Sequence, residues 1–122
     1  MEMAAAFFAA SRNGDMDGLR AMLSADVVLH ADGGGRRPAA PAPIVGIESA
    51  IAAHAALARI FARHMSRLVR YGLIDGLPGF VTIEKDETLQ TTALQIEDGK
   101  IVAIYVTRNP DRLRHLSGNS VH

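Results

Sequence analysis

A chain of 122 residues, 48% of them hydrophobic, is long enough for one packed domain and too apolar to be disordered. Its 13 basic residues balance 13 acidic ones, so direct nucleic-acid binding is not expected, because phosphate contacts normally require a basic excess. The absence of cysteine excludes disulfides and thiolate metal sites, and no apolar run approaches the ~20 residues of a membrane span.

The first part of the chain predicts two short helices. The apolar start lacks the basic segment of a signal peptide, so we expect a cytoplasmic protein. Alanines and phenylalanines favour a helix from Met3 to Ser11, which Asn13-Gly14 ends. Asp15 is the expected N-cap of a second helix, because its carboxylate accepts backbone N–H groups left free in a first turn. Apolar residues at helical spacing carry that helix to about Leu23.

The β-branched run Val27–Asp32 predicts a strand. Alternation places His30 and Asp32 on one face of it and Leu29 on the other. Three glycines, two arginines and three prolines follow within residues 33–43, and they predict a loop.

The rest of the chain predicts one long helix and then a run of strands. Apolar residues at helical spacing place the helix over Gly46–Met65. The predicted strands are Leu68–Ile74, Gly79–Lys85, Thr88–Glu97 and Ile101–Arg108, with a tight Asp98-Gly99 hairpin turn before the last. Helices followed by strands predict an α+β fold, with helices packed on one face of an antiparallel sheet. We expect one domain, ordered over about residues 3–116, with a frayed tail at 117–122.

Two short motifs carry a resemblance to a known family. The run from Asp26 to Arg36 (DVVLHADGGGR) resembles a "DVV…DGGGK" signature, and Asn109–Leu113 (NPDRL) resembles "NPDKL". Both occur in extracytoplasmic-function sigma factors that carry a SnoaL-like C-terminal extension, also called nuclear-transport-factor-2-like or ketosteroid-isomerase-like. The resemblance spans about Phe7 to Leu116. Arginine stands at both lysine positions, Arg36 and Arg112, which keeps the charge and changes the contact geometry.

The resemblance implies a half-cone of helices on a curved, mostly antiparallel sheet. It also implies a regulatory, non-catalytic role: the domain contacts the sigma domains of the same or a companion chain and so acts indirectly on RNA polymerase. The residues expected to make these contacts are Gly33, Gly34, Gly35, Arg36, Arg37, Asn109, Pro110, Asp111 and Arg112. The alternative for the glycine loop is a flexible connection. Whether the chain is an excised domain or a stand-alone relative is left open by the sequence.

A cavity between helices and sheet is expected in this fold. Six polar or aromatic residues are candidates to line it: His30, Asp32, His54, Tyr71, Glu84 and Tyr105. An enzyme is the alternative function, an isomerase or cyclase acting on a small polycyclic or carbonyl substrate. In that case Asp32, His30 and Tyr105 are the catalytic candidates, because a carboxylate base and a hydrogen-bond donor are the groups that such chemistry requires. A small apolar ligand in the pocket is a further hypothesis.

No cofactor and no metal site are expected, because His54 and His64 are ten residues apart and lack the i,i+4 spacing of a helical metal pair. His54 is interpreted as a buried, hydrogen-bonded histidine. The basic run Arg59, Arg63, Arg67 and Arg70 is either a solvated face or a patch for an acidic partner. The last strand is apolar on both faces, which favours a homodimer through the open face of the sheet.

Overall fold

The computed structural model of the chain describes residues 1–32, 42–64, 66–84 and 87–108. Three helices and six strands lie in these residues. The helices are α1 (Glu2–Asn13), α2 (Met16–Met22) and α3 (Ile47–Arg63); the strands are β1 (Leu23–Asp32), β2 (Ile44–Val45), β3 (Arg67–Ile74), β4 (Leu77–Glu84), β5 (Thr88–Glu97) and β6 (Lys100–Arg108).

Local sequence signals set the helix ends. Gly14 ends α1 with a left-handed backbone (φ 73°) that glycine adopts without steric cost. Asp15 caps α2: its Oδ1 accepts the Gly18 N–H at 2.9 Å, which confirms the predicted N-cap. α3 ends at Arg63, close to its predicted end. The predicted pair of short helices followed by one long helix is therefore confirmed.

One mixed sheet of six strands has the order β2-β1-β6-β5-β4-β3. Every neighbouring pair is antiparallel except β1 and β6, which run parallel. Asp98 and Gly99 both have positive φ (52° and 77°) and form the predicted tight turn between β5 and β6. The predicted α+β class, with helices on a curved and mostly antiparallel sheet, is confirmed.

The structure differs from the sequence expectations at three strands. β1 begins at Leu23, four residues earlier than predicted, and the short β2 was not predicted. β4 begins at Leu77 and not at the predicted Gly79, because Asp75 and Gly76 alone, with φ of 50° and 84°, make the turn from β3. Pro78 is tolerated inside β4 because the pairing with β5 starts only at Gly79, so no ladder bond to β5 is lost.

The core lies between the helices and one face of the sheet, which we call the inner face. Phe7 of α1 and Leu19 of α2 are at most 2% exposed and belong to the same cluster as Leu29, Leu94 and Ile104. Leu29 pairs with Ile104, and Ile104 pairs with Leu94, so these three side chains share the inner face. The neighbouring positions along these strands point to the opposite, outer face.

Candidate functional site

A cavity of about 520 Å³ opens between the C-terminal half of α3 and the last residues of β4 and β6. We call it the α3 cavity. The described residues that line it are Leu57, Arg59, Ile60, Phe61, Arg63, His64, Glu84 and Arg108. One wall is apolar and comes from α3, and four of the eight residues carry a basic side chain. Its volume is typical of sites that hold small molecules.

Glu84, at the end of β4, is the carboxylate of this cavity, and its side chain is only 5% exposed. Its Oε2 accepts a hydrogen bond from Arg12 Nη2 at 3.2 Å and another from the Thr82 hydroxyl. Its Oε1 accepts the Ser66 hydroxyl at 2.6 Å. Both carboxylate oxygens are therefore engaged by neighbouring side chains of the protein itself.

Arg12, in the last turn of α1, is the charge partner of Glu84. Its Nε donates to Ser66 Oγ at 2.8 Å and its Nη1 to Ser11 Oγ at 2.9 Å. Burial lowers the pKa of Arg12, and the adjacent Glu84 carboxylate opposes that shift. We call Ser11, Arg12, Ser66, Thr82 and Glu84 the Arg12 cluster.

Aromatic rings enclose the same guanidinium. Its Cζ lies 4.2 Å from the ring centroid of Phe61, 5.0 Å from that of Phe8 and 5.7 Å from that of Phe80. Ring faces attract cations within about 6 Å. The Arg12 cluster therefore joins α1, α3 and β4 by ion pairing, hydrogen bonding and cation–π contact.

His54, on α3, is buried in the core. Its Nδ1 is 2.9 Å from the Ala50 carbonyl oxygen, and because that oxygen only accepts, Nδ1 carries the hydrogen. Its ring meets Phe7 edge to face, with centroids 5.5 Å apart. Burial lowers the pKa of His54, the Ala50 hydrogen bond opposes this, and the charge of Arg12 lowers it further. His54 is therefore neutral near pH 7 and contributes to the core.

His30 and Tyr105 lie on the outer face, away from the α3 cavity. They are paired across β1 and β6 and stack with centroids 4.9 Å apart and ring planes at 6°. The Tyr105 hydroxyl donates to Gln95 Oε1 at 3.0 Å. Tyr105 also borders a second groove, of about 320 Å³, with Thr91 and Thr107.

The six candidate pocket residues are thus divided among different places. Glu84 lies in the α3 cavity, His54 in the core, and His30 with Tyr105 on the outer face. Tyr71 lies on the inner face and meets Phe8 and Phe80 edge to face. Asp32 closes β1 opposite Thr107, and its side chain is outside the described residues. The expectation that all six face one cavity does not hold, because strand pairing turns His30 and Tyr105 outward.

The residues expected to contact a partner, Gly33, Gly34, Gly35, Arg36, Arg37, Asn109, Pro110, Asp111 and Arg112, lie outside the described residues. Their role stays a prediction. No group of three or more metal-ligating side chains occurs among the residues that the structure describes. Within the same residues, no helix is long and apolar enough to cross a membrane.

Sequence reasoning missed Arg12, Ser66, Thr82 and Arg108. In the sequence, Arg12 is an ordinary cation in the last turn of a helix, where the helix dipole makes a positive charge favourable without any other partner. A signal was present in β4, where Thr82 and Glu84 occupy alternate positions of an otherwise apolar strand. Two inward-facing polar side chains in a buried strand require hydrogen-bond partners, and that requirement points to a polar cluster.

No protein-family model matches the chain, and no curated protein matches it. Among solved structures, the extracytoplasmic-function sigma factor SigJ of Mycobacterium tuberculosis matches with a TM-score of 0.66 and 23% identity over 91% of this chain. The match covers 42% of SigJ, so the chain spans less than half the length of that sigma factor.

Two other neighbours match over nearly their whole length. A SnoaL-like protein of unknown function from Burkholderia thailandensis has a TM-score of 0.70 and 10% identity, over 88% of this chain and 92% of its own. A candidate polyketide cyclase from Sinorhizobium meliloti has a TM-score of 0.67 and 15% identity, over 87% of this chain and 94% of its own. These likenesses confirm the predicted SnoaL-like fold.

Proposed function

We propose that the chain is a regulatory, non-catalytic domain of an extracytoplasmic-function sigma factor, which modulates transcription initiation through protein–protein contacts in the cytoplasm. Two features of the sequence support this role: the Asp26–Arg36 run and the Asn109–Leu113 motif, in the order and spacing of such sigma factors. The likeness of the fold to SigJ is consistent with it. Fold alone does not assign function, which depends on specific residues of the site.

The observation that supports the non-catalytic assignment is the engagement of Glu84, the carboxylate of the α3 cavity. A general base must lie within hydrogen-bond reach of the proton that it removes. Glu84 instead accepts hydrogen bonds from the protein's own Arg12, Ser66 and Thr82, and its side chain is only 5% exposed. His54 is likewise committed, through Nδ1, to the Ala50 carbonyl. These titratable groups stabilise the packing of α1 and α3 on the sheet and do not converge on one point in the α3 cavity.

The proposed contact surface comprises the glycine loop and the tail motif. Arg36 and Arg37 follow three glycines, and Asn109 to Arg112 follow directly on β6. β6 pairs with β1, which ends at Asp32 just before the glycine loop. β1 and β6 run parallel, and Asp32 pairs with Thr107, so the described ends of the two strands lie side by side. A partner that contacts this end of the sheet would be close to the points from which both segments continue.

In vitro transcription with the complete sigma factor and RNA polymerase tests the proposal. The variant Arg36→Glu/Arg37→Glu reverses two charges in the glycine loop, and we expect a clear change in transcript yield. The matched control is Arg20→Glu/Lys100→Glu, which reverses two exposed charges near the starts of β1 and β6, at the opposite end of these strands, and should leave the yield unchanged. Equal transcription from wild type and the loop variant would contradict the proposed contact.

A SnoaL-like enzyme, an isomerase or cyclase of a small polycyclic or carbonyl substrate, is the second candidate. The match to the candidate polyketide cyclase over nearly its whole length favours it. In that case the catalytic candidates are Asp32, His30 and Tyr105, and they would act at the second groove, on the outer face, which Tyr105 borders. Substrate conversion that is measured by mass spectrometry and abolished by Asp32→Asn, with transcription unaffected, would decide for the enzyme.

A homodimer through the outer face of the sheet is part of the proposal. Tyr105 is 36% exposed on that face. Tyr105 stacks on His30 on that face, and the neighbouring outer-face positions Ala93 and Ala103 carry small side chains. Analytical ultracentrifugation of the chain should show a dimer that Tyr105→Glu dissociates. A monomer at high concentration would exclude this arrangement.

A further inference from the structure

We propose that the α3 cavity binds a small organic anion, in which a carboxylate or phosphate group is attached to an apolar body. The inference concerns the chain itself and goes beyond the regulatory role, since it holds whether or not the domain acts on a sigma factor. It replaces the purely apolar ligand suggested by the sequence with one that carries a negative charge.

The shape of the cavity accommodates the apolar body. Leu57, Ile60 and Phe61 come from one side of α3 and form a continuous apolar wall. Phe61 is 6% exposed and fixed against Arg12, whereas Ile60 is 49% exposed. A large exposed aliphatic side chain at the edge of a concave site loses contact with water when a ligand covers it. Burial of Ile60 is therefore a source of affinity for an apolar group.

The charges of the cavity select the sign of the head group. Arg59 and Arg63 lie one turn apart on α3, so both guanidinium groups project from the same helix face. Arg108, at the end of β6, approaches the cavity from the sheet and is held by a bond from its Nε to Gln90 Oε1 at 2.6 Å. Three arginines from two elements thus line one cavity in a chain of zero net charge.

The Arg12 cluster removes the opposing charge. Among the described lining residues, the single carboxylate is that of Glu84, and it is paired with Arg12 at 3.2 Å. The pair is nearly buried, with 13% and 5% of the two side chains exposed, so its charges cancel at short range. The field in the cavity is then that of Arg59, Arg63 and Arg108. Guanidinium groups bind carboxylate and phosphate through two parallel hydrogen bonds, which suits an anionic head group.

Isothermal titration calorimetry with three ten-carbon probes tests the proposal: decanoate and decyl phosphate below their critical micelle concentrations, and neutral decanol below its solubility limit. We expect both anions to bind and decanol to bind at least tenfold more weakly, because only the anions reach the arginines. The comparison of decanoate with decyl phosphate shows which head group is preferred. Equal affinity for decanol and the anions would overturn the proposal.

Two variants locate the binding site. Arg59→Gln/Arg63→Gln changes exposed residues of α3, and Arg108→Gln changes the sheet side of the cavity. Each should weaken decanoate about tenfold or more and leave the circular dichroism spectrum unchanged. Arg67→Gln/Arg70→Gln, on exposed β3, is the matched control and should bind as wild type does. Unchanged binding in both cavity variants would overturn the assignment. Tighter binding of an acidic decapeptide than of decanoate would also overturn it, and would make the surface a protein-docking site.

Discussion

Arg12 Nη2 lies 3.2 Å from Glu84 Oε2, and this ion pair ties the last turn of α1 to the last residue of β4 in the interior of the protein. The pair is accompanied by Ser66 and Thr82, which donate to the same carboxylate. Buried pairs of this kind repay the cost of desolvation only when further hydrogen bonds engage the carboxylate, and here Ser66 and Thr82 supply two of them.

Arg12→Met should lower the free energy of unfolding by about 3–5 kcal/mol, because it leaves the Glu84 carboxylate buried without its counter-charge. The double variant Arg12→Met/Glu84→Gln should recover most of the loss, since the amide oxygen accepts one of the two hydroxyl groups and the amide NH2 group donates to the oxygen of the other. Urea unfolding followed by circular dichroism measures both effects.

The control for this prediction is the exposed ion pair of Arg20 and Glu48, whose side chains are 45% and 76% exposed. Arg20→Met should leave stability near that of wild type, because water screens exposed pairs. If Arg12→Met proved as mild as Arg20→Met, the Arg12 cluster would have no stabilising role.

Gly79→Ala should lower the free energy of unfolding by about 1–3 kcal/mol. A Cβ atom at Gly79 would overlap the Thr92 carbonyl oxygen and lie 3.1 Å from Ala93 Cα, and both belong to the backbone of β5. Thermal unfolding measures the loss.

Gly72, which pairs with Gly79 across β3 and β4, is the matched control. A Cβ there meets only the mobile end of the Arg70 side chain, so Gly72→Ala should cost much less. Equal losses in the two variants would contradict the close approach at Gly79.

His54 should make stability fall as the pH is lowered below about 6.5, the usual pKa of a histidine in an unfolded chain. Burial lowers the pKa of His54 in the folded protein, so the unfolded chain binds the proton first as the pH drops below about 6.5. The stabilisation that comes from neutral His54 is present above about pH 6.5. It is lost as the pH falls toward the lower pKa that His54 has in the folded protein. Free energies of unfolding from urea titrations across this range measure the slope. The variant His54→Leu should show a shallower slope, and identical slopes would exclude a neutral buried His54.

Local signals account for the parts of the fold that the sequence predicted. Asp15 caps α2 through a bond to a backbone three residues away, and Asp98-Gly99 needs only its own dihedral angles to reverse the chain. The pairing of β1 with β6 has no such local signal. It depends on contacts between residues far apart in the sequence, such as Val28 with Ala103, and helices followed by strands suggested only antiparallel neighbours.

Part of the candidate site could likewise be predicted from the sequence, and part of it could not. The position of Glu84 near the cavity was expected from the fold, but its partner Arg12 lies at the other end of the chain and carries no motif. The fold predicts a cavity that His30 and Tyr105 could line, but β6 is apolar on both faces, so alternation does not show which face of β6 is inward. Only the register with β1 and β5 places Tyr105 on the outer face.

The parallel contact between β1 and β6 also governs the order in which the protein assembles. Nonlocal pairings are slow to form, because the entropy of a long loop must be lost before any contact compensates for it. During synthesis α1, α2 and β1 leave the ribosome early, whereas β6 follows after four further strands and a helix. Val27 and Leu29, which are buried in the finished protein, have at most the short β2 beside them and lack β6 throughout that interval. The nascent chain therefore presents an apolar strand edge to the cell, and chaperone binding to β1 is the expected safeguard against aggregation.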